Sequence, residues 1–175
     1  MPQTIFRSAT PDDALCISVL AMQVFLDTYA REGIRPDLAR EALGVYSPAV
    51  FAAYLADAGS YFVLAERDAH LVAFAQCKLG SAPPLELLDG LAGQAELSRL
   101  YVQSPFKRTG LGRELLGRAE ANARARGASG MWLAAWAGND AARTFYAAQN
   151  YVDVGKTAYV IEGQTYENRV FTRRF

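Results

Sequence analysis

The sequence predicts a chain of the α/β (α+β) class, seven short strands interleaved with helices, folded as one domain over residues 1–175. Three observations carry that reading. Residues 95–102 (AELSRLYV) alternate strictly, with Glu96, Ser98, Leu100 and Val102 on one face and Leu97, Arg99 and Tyr101 on the other, as a strand requires. Beyond Gly110 and Gly112, the apolar residues Leu111, Leu115, Leu116, Ala119 and Ala123 recur at helical spacing. A largely apolar run at 129–137 (SGMWLAAWA) then fits a buried parallel strand.

Taken in order, residues 3–7 read as a first strand. Thr10 is suited to an N-cap and Pro11 to a first helical position. From Ala14 to Ala30 the residues Leu15, Val19, Met22, Phe25, Leu26 and Tyr29 form one apolar stripe, and the helix is expected to stop near Gly33. Pro36 opens a second helical piece to Leu43 and Pro48 a third to Leu55, before a turn at Ala58-Gly59-Ser60. Residues 61–66 and 71–79 read as an antiparallel hairpin about Arg67-Asp68-Ala69-His70. Residues 81–93, rich in Pro, Gly and Leu, read as a loop with room for one helical turn. The helix that follows the central strand should end at Gly127. Asn139 caps a helix over 140–149, and Asn150 tolerates the left-handed backbone that ends it. Residues 151–161 and 165–174 close the chain as a strand pair around Glu162-Gly163-Gln164.

Composition removes several classes of function. Eighteen basic and eighteen acidic residues sum to zero formal charge, so no global field attracts nucleic acid or an anionic membrane. No apolar run reaches the ~20 residues of a membrane span, and no secretory signal opens the chain, so a cytoplasmic location is expected. Cys16 and Cys77 lack metal or redox spacing and read as reduced, buried core thiols. His70, the only histidine, falls at a turn without a ligand-spaced partner; no metal site and no triad is expected.

The chemistry concentrates where the central strand meets the helix. The first turn of a helix directs unpaired N–H groups and partial positive charge outward. Gly110 and Gly112 remove side chains that would hold a phosphate off that backbone, and Lys107, Arg108 and Arg113 add full charges. This stretch reads as a cradle for a pyrophosphate.

PFKRTGLGRELL resembles the acetyl-CoA loop of the GNAT superfamily of N-acetyltransferases, Gln/Arg-x-x-Gly-x-Gly/Ala, as Lys107-Arg108-Thr109-Gly110-Leu111-Gly112. Lys107 departs from the usual Gln or Arg; it keeps charge without the planar fork. A second family motif follows, Asn139-x-x-Ala142-x-x-Phe145-Tyr146 with Tyr151 beyond it. The resemblance covers roughly residues 60 to 175. It implies a mixed, twisted sheet with helices on both sides and a splayed strand pair whose wedge holds the pantetheine arm of acetyl-CoA. The backbone at Leu100, Tyr101 and Val102, with Asn139 and Tyr146, is then expected to contact that coenzyme beside the cradle residues Lys107, Arg108, Thr109, Gly110, Leu111, Gly112 and Arg113. Family members often pair as homodimers, so the resemblance allows one here.

Acetyl transfer to an amine sets two proton problems. An alkyl-ammonium with pKa near ~10.4 costs about 4–5 kcal/mol to neutralise at pH 7. Glu96 is the candidate base, directly or through a water, and Ser98 on the same face is the alternative holder of that water. The leaving thiolate needs an acid, and Tyr146 matches the family's tyrosine facing the coenzyme sulfur. A phenol near ~10 against a thiol near ~8.5 makes that step uphill by only ~2 kcal/mol.

The acceptor is expected to be a small-molecule or peptide amine: a polyamine first, otherwise an amino acid or peptide N-terminus. By the family's layout its pocket would draw on Phe25, Asp27, Tyr29, Arg31 and Glu32 with Tyr159, Glu162, Tyr166 and Glu167, aromatics and carboxylates suited to a cation. Arg31 and Arg35 favour a carboxylate-bearing substrate instead. Two rivals stand beside this reading. A dinucleotide-binding fingerprint fails because its third glycine would fall at Leu115. A non-catalytic acyl-CoA binding or sensing module would share the fold and bind acetyl-CoA without releasing thiol to any amine.

Overall fold

Two turns show how locally the backbone is specified. Asp68 (φ 49°) and Ala69 (φ 61°) join one strand pair, and Glu162 (φ 44°) and Gly163 (φ 84°) join the last. Two successive left-handed residues give the turn whose twist matches that of paired strands. The structure, a computed structural model, describes residues 3–175. Its strands are β1 (Thr4–Ser8), β2 (Ser60–Arg67), β3 (His70–Lys78), β4 (Ala95–Val102), β5 (Gly130–Trp136), β6 (Val152–Ile161) and β7 (Gln164–Arg174). The helices are α1 (Ala14–Tyr29), α2 (Pro36–Val45), α3 (Pro48–Ala56), a short α4 (Leu88–Leu91), α5 (Leu111–Ala125) and α6 (Asp140–Ala148). The strands form a mixed seven-stranded sheet in the order β1-β2-β3-β4-β5-β7-β6. The expected element order and the mixed sheet are therefore both present.

The chain divides into two compact units. The first runs to Gln76 and resumes over Arg99–Ala119; the second comprises Cys77–Ser98 and Glu120–Phe175.

In the first unit β1 pairs antiparallel with β2, from Thr4↔Arg67 to Ser8↔Val63. Arg7 bridges Asp13 at 2.7 Å and Glu66 at 2.6 Å, and the Thr10 N–H donates to Asp13 at 2.7 Å, closing the box that starts the first helical turn. The aromatic core joins Phe51 to Phe62 and Phe74 at centroid distances of 6.3 and 6.2 Å. One sequence expectation fails here. Of the stripe Leu15, Val19, Met22, Phe25, Leu26 and Tyr29, only Phe25 is buried; Leu15 is 62% and Val19 58% exposed. The inward face is instead Ala14, Ile17, Ser18, Leu20, Ala21, Val24 and Phe25, about one residue and so ~100° around the helix. Both faces are apolar, and the smaller residues lie on the buried one. The buried Ser18 hydroxyl is accommodated by donating to the Tyr46 carbonyl at 2.6 Å. The same rotation puts Cys16 on the exposed surface, correcting the expectation of a core thiol, while Cys77 is buried as expected.

In the second unit β5 pairs along its whole length with β7, from Gly130↔Arg174 to Trp136↔Asn168. The parallel ladder of β4 with β5 takes in Ala95↔Met131 and Glu96↔Trp132, at the start of both strands. β6 pairs with β7 through a register shift between Asp153 and Gly155. A Cβ at Gly155 would meet the Leu87 side chain at 3.1 Å, so this glycine admits the stretch before α4. Leu91, Trp132 and Val170 form a core cluster with Leu87 packed on it.

Candidate functional site

Beyond Val102 the chain makes a 3-10 turn over Ser104–Phe106, with the Phe106 N–H donating to the Gln103 carbonyl at 2.9 Å. The Thr109 hydroxyl donates to the Phe106 carbonyl at 2.7 Å, and Arg108 (φ 64°) and Gly110 (φ 88°) are both left-handed. Gly110 is demanded by its dihedral angle, because a Cβ there would meet nothing within 4 Å. Glu114 makes a helical bond back to the Gly110 carbonyl at 3.1 Å, so the amides of Leu111, Gly112 and Arg113 precede it and have no partner along the helix. Leu111 is buried and anchors the turn, while the side chains of Lys107, Arg108, Thr109 and Arg113 are exposed around it. Leading amides, two left-handed residues and three exposed cations fit a diphosphate chemically. The left-handed Arg108 had no signal in the sequence. Leu100, Tyr101 and Val102, which lead into this turn, are half-buried. Tyr101 packs on Phe74 at 5.5 Å, and its hydroxyl lies 3.4 Å from that of Tyr46.

Glu96 and Ser98, on β4 in the second unit, are both half-buried. The Glu96 carboxylate accepts a hydrogen bond from the Ser81 hydroxyl, a partner that sequence reasoning missed. Fifteen residues separate the two, and no local pattern marks the contact. In the same unit Asn139 caps α6, its Oδ1 accepting from the Ala142 N–H at 3.1 Å. Tyr146 is 8% exposed, with ring centroids 5.2 Å from Phe145, 5.8 Å from Tyr151 and 6.1 Å from Phe171. The Tyr151 hydroxyl donates to Glu120 at 2.8 Å, and Arg173 bridges the other Glu120 oxygen at 3.0 Å. Burial first, then the Glu120 charge, push the Tyr151 phenol far above its ordinary value. This triad too was absent from the sequence reading.

The acceptor candidates divide between the units. Phe25 is 1% exposed, a core ring 5.0 Å from Tyr29 and 4.9 Å from Tyr46. Asp27 is exposed and accepts from the Ser104 hydroxyl at 3.0 Å. In the second unit Tyr159 pairs with Tyr166 across the hairpin, Glu162 is exposed at its tip, and Tyr166 packs edge-on against Trp136 at 6.2 Å. A cavity of about 330 Å³ lies elsewhere in that unit, between Glu86, Leu87, Asp89 and Leu91 on one side and Val154 and Thr172 on the other; none of the expected site residues lines it. Among the described residues no group of three or more His, Cys, Asp or Glu side chains could hold a metal ion, and no helix is long and apolar enough to cross a membrane.

Residues 27–151 match the model of the Acetyltransferase (GNAT) family. An uncharacterized N-acetyltransferase in the pepI 3' region of Lactobacillus delbrueckii subsp. lactis is 24% identical over 143 residues, 81% of this chain and 80% of the relative. The fold is similar to that of PaiA N-acetyltransferase from Thermoplasma acidophilum in complex with coenzyme A, at TM-score 0.75, 19% identity and 99% coverage of both chains. It is also similar to Arabidopsis thaliana NAA60 in complex with a bisubstrate analogue, at TM-score 0.72 and 18% identity over 98% of each chain.

Proposed function

Because the chain belongs to the GNAT family of acetyl-CoA-dependent N-acetyltransferases, we propose that it moves an acetyl group to a primary amine by direct attack, with both substrates bound together. A polyamine is the first acceptor, and an amino acid or peptide N-terminus the next. When bound, acetyl-CoA supplies the activated acyl group and the sulfur that leaves. The amides of Leu111, Gly112 and Arg113, with Lys107 and Arg108, hold its diphosphate at the head of α5. The observation that supports this most directly is the left-handed pair Arg108 and Gly110, which opens the turn around those amides.

Glu96 takes the proton of the attacking ammonium, directly or through a water held by Ser98, offsetting the ~4–5 kcal/mol needed to make an alkyl-amine neutral at pH 7. Tyr146 gives its hydroxyl proton to the departing sulfur. Asn139 orients the pantetheine arm through the side-chain nitrogen left over from its cap, and the main chain of Leu100, Tyr101 and Val102 pairs with that arm as a neighbouring strand would. The β4–β5 ladder at Ala95↔Met131 and Glu96↔Trp132 supports this last role, since it lies at the start of both strands. Tyr29, Tyr159 and Glu162 suit a cationic acceptor by ring faces and charge. We take residues 1–175 as one catalytic domain, because β3, β4 and α5 each run from one compact unit into the other.

A thiol-release screen with acetyl-CoA over polyamines, amino acids, aminoglycosides and N-terminal peptides tests the proposal. Release with one class identifies the acceptor. Binding of acetyl-CoA with no release for any amine rejects the transfer.

A further inference from the structure

Glu96 has a firmly held backbone and, on its own, a loosely held side chain. Its main chain is locked in the ladder opposite Trp132. Its neighbours Gln94 and Ala95 are buried, and Gln94 is held by the Gly90 carbonyl and the Thr172 hydroxyl. Three rotatable bonds still separate that backbone from the carboxylate oxygens. The Ser81 hydroxyl removes the freedom by donating to Oε2. Ser81 reaches it from the turn after β3, where left-handed Gly80 (φ 67°) redirects the chain. In this hydrogen bond Ser81 donates and Glu96 accepts.

We propose that Ser81 is a positioning residue for proton transfer, holding Glu96 by Oε2 so that Oε1 is the oxygen that takes the proton from the acceptor ammonium. This rests on the reading of Glu96 as the base. The proton moves from nitrogen to Oε1, leaving the nitrogen lone pair to form the new bond. Ser81 exchanges no proton with either group. Its effect is on the geometry from which the transfer starts, where a misplacement on the order of 1 Å costs ~100-fold in rate.

The test is steady-state thiol release with acetyl-CoA and the fastest amine of the screen, on wild type, Ser81→Ala, Ser81→Thr, Glu96→Gln and the double variant Ser81→Ala/Glu96→Gln. Expected are a fall in kcat of ~10- to 100-fold for Ser81→Ala with KM for acetyl-CoA unchanged, recovery of most of the rate by Ser81→Thr, which keeps the hydroxyl, and no further loss from Ser81→Ala once Glu96 is Gln. Wild-type kcat in Glu96→Gln overturns the reading of Glu96 itself. A crippled Glu96→Gln beside a fully active Ser81→Ala overturns the role of Ser81 alone. So does a Ser81→Ala loss of equal size with and without the Glu96 carboxylate.

Discussion

The Tyr151 hydroxyl sits 2.8 Å from Glu120 while its ring stands 5.8 Å from that of Tyr146, so one buried side chain links an ion pair to the proposed acid. Tyr151→Phe should cost about 1–3 kcal/mol, because the half-buried Glu120 carboxylate loses the hydrogen bond from the phenol while Arg173 stays beside it. Urea unfolding measures it. The pH sign also follows. The phenol is raised in the folded state, so the unfolded chain loses that proton first, and the stability it contributes is present below ~10 and declines as pH rises beyond it. The Tyr151→Phe variant should show a smaller decline above that pH.

Asp13 governs the acid limb in the opposite sense. Its hydrogen bond with the Arg7 guanidinium holds the carboxyl at about 2. The stability it provides is complete above ~4 and lost as pH falls toward the folded value, to the extent of ~1 kcal/mol after solvent screening. Denaturation midpoints from pH 5 downward should fall more steeply for wild type than for Asp13→Asn.

Gly110 and Gly112 separate backbone conformation from access. Gly110→Ala should destabilise by ~1 kcal/mol through its positive φ, with no clash to relieve. Gly112→Asp places a carboxylate among the leading amides of α5 and should abolish the thermal shift with acetyl-CoA, an effect worth ~2.7 kcal/mol in wild type at a hundred times the dissociation constant. An undiminished shift in Gly112→Asp would remove the diphosphate from this turn.

Tyr146→Phe keeps the ring contacts to Phe145, Tyr151 and Phe171 and deletes only the hydroxyl. Turnover should drop ~100-fold or more, with little change in acetyl-CoA affinity by calorimetry. Equal rates would take Tyr146 out of the reaction.

The two faces of α1 provide a control within one helix. Val19→Ser, on the exposed face, should move stability by less than ~0.5 kcal/mol. Ile17→Ala, on the buried face, should cost ~2–5 kcal/mol.

What could be read from the chain was whatever is encoded over short spans. Strand alternation in 95–102, the cap at Asn139, the stop at Gly127 and the left-handed Asn150 are all present, because each depends on residues within a turn of one another. The rotation of α1 was misread because that helix is apolar on two sides, so its packing partners α2 and α3 decide which side turns inward. Ser81 with Glu96, and Glu120 with Tyr151 and Arg173, were illegible for a related reason. Each joins side chains from different elements, and no periodicity announces such a meeting.

The register shift between Asp153 and Gly155 also has a colloidal consequence. β6 is the last strand of the sheet and carries Val152, Val154 and Val160 outward, the kind of margin onto which a stranger's strand can zip. The kink interrupts its row of amides near one end, and the adjoining Asp153–Arg169 ion pair plants charge there. Straightening it, by removing the residue at Val154, should raise fibre formation above that of wild type on incubation, read by thioflavin T fluorescence.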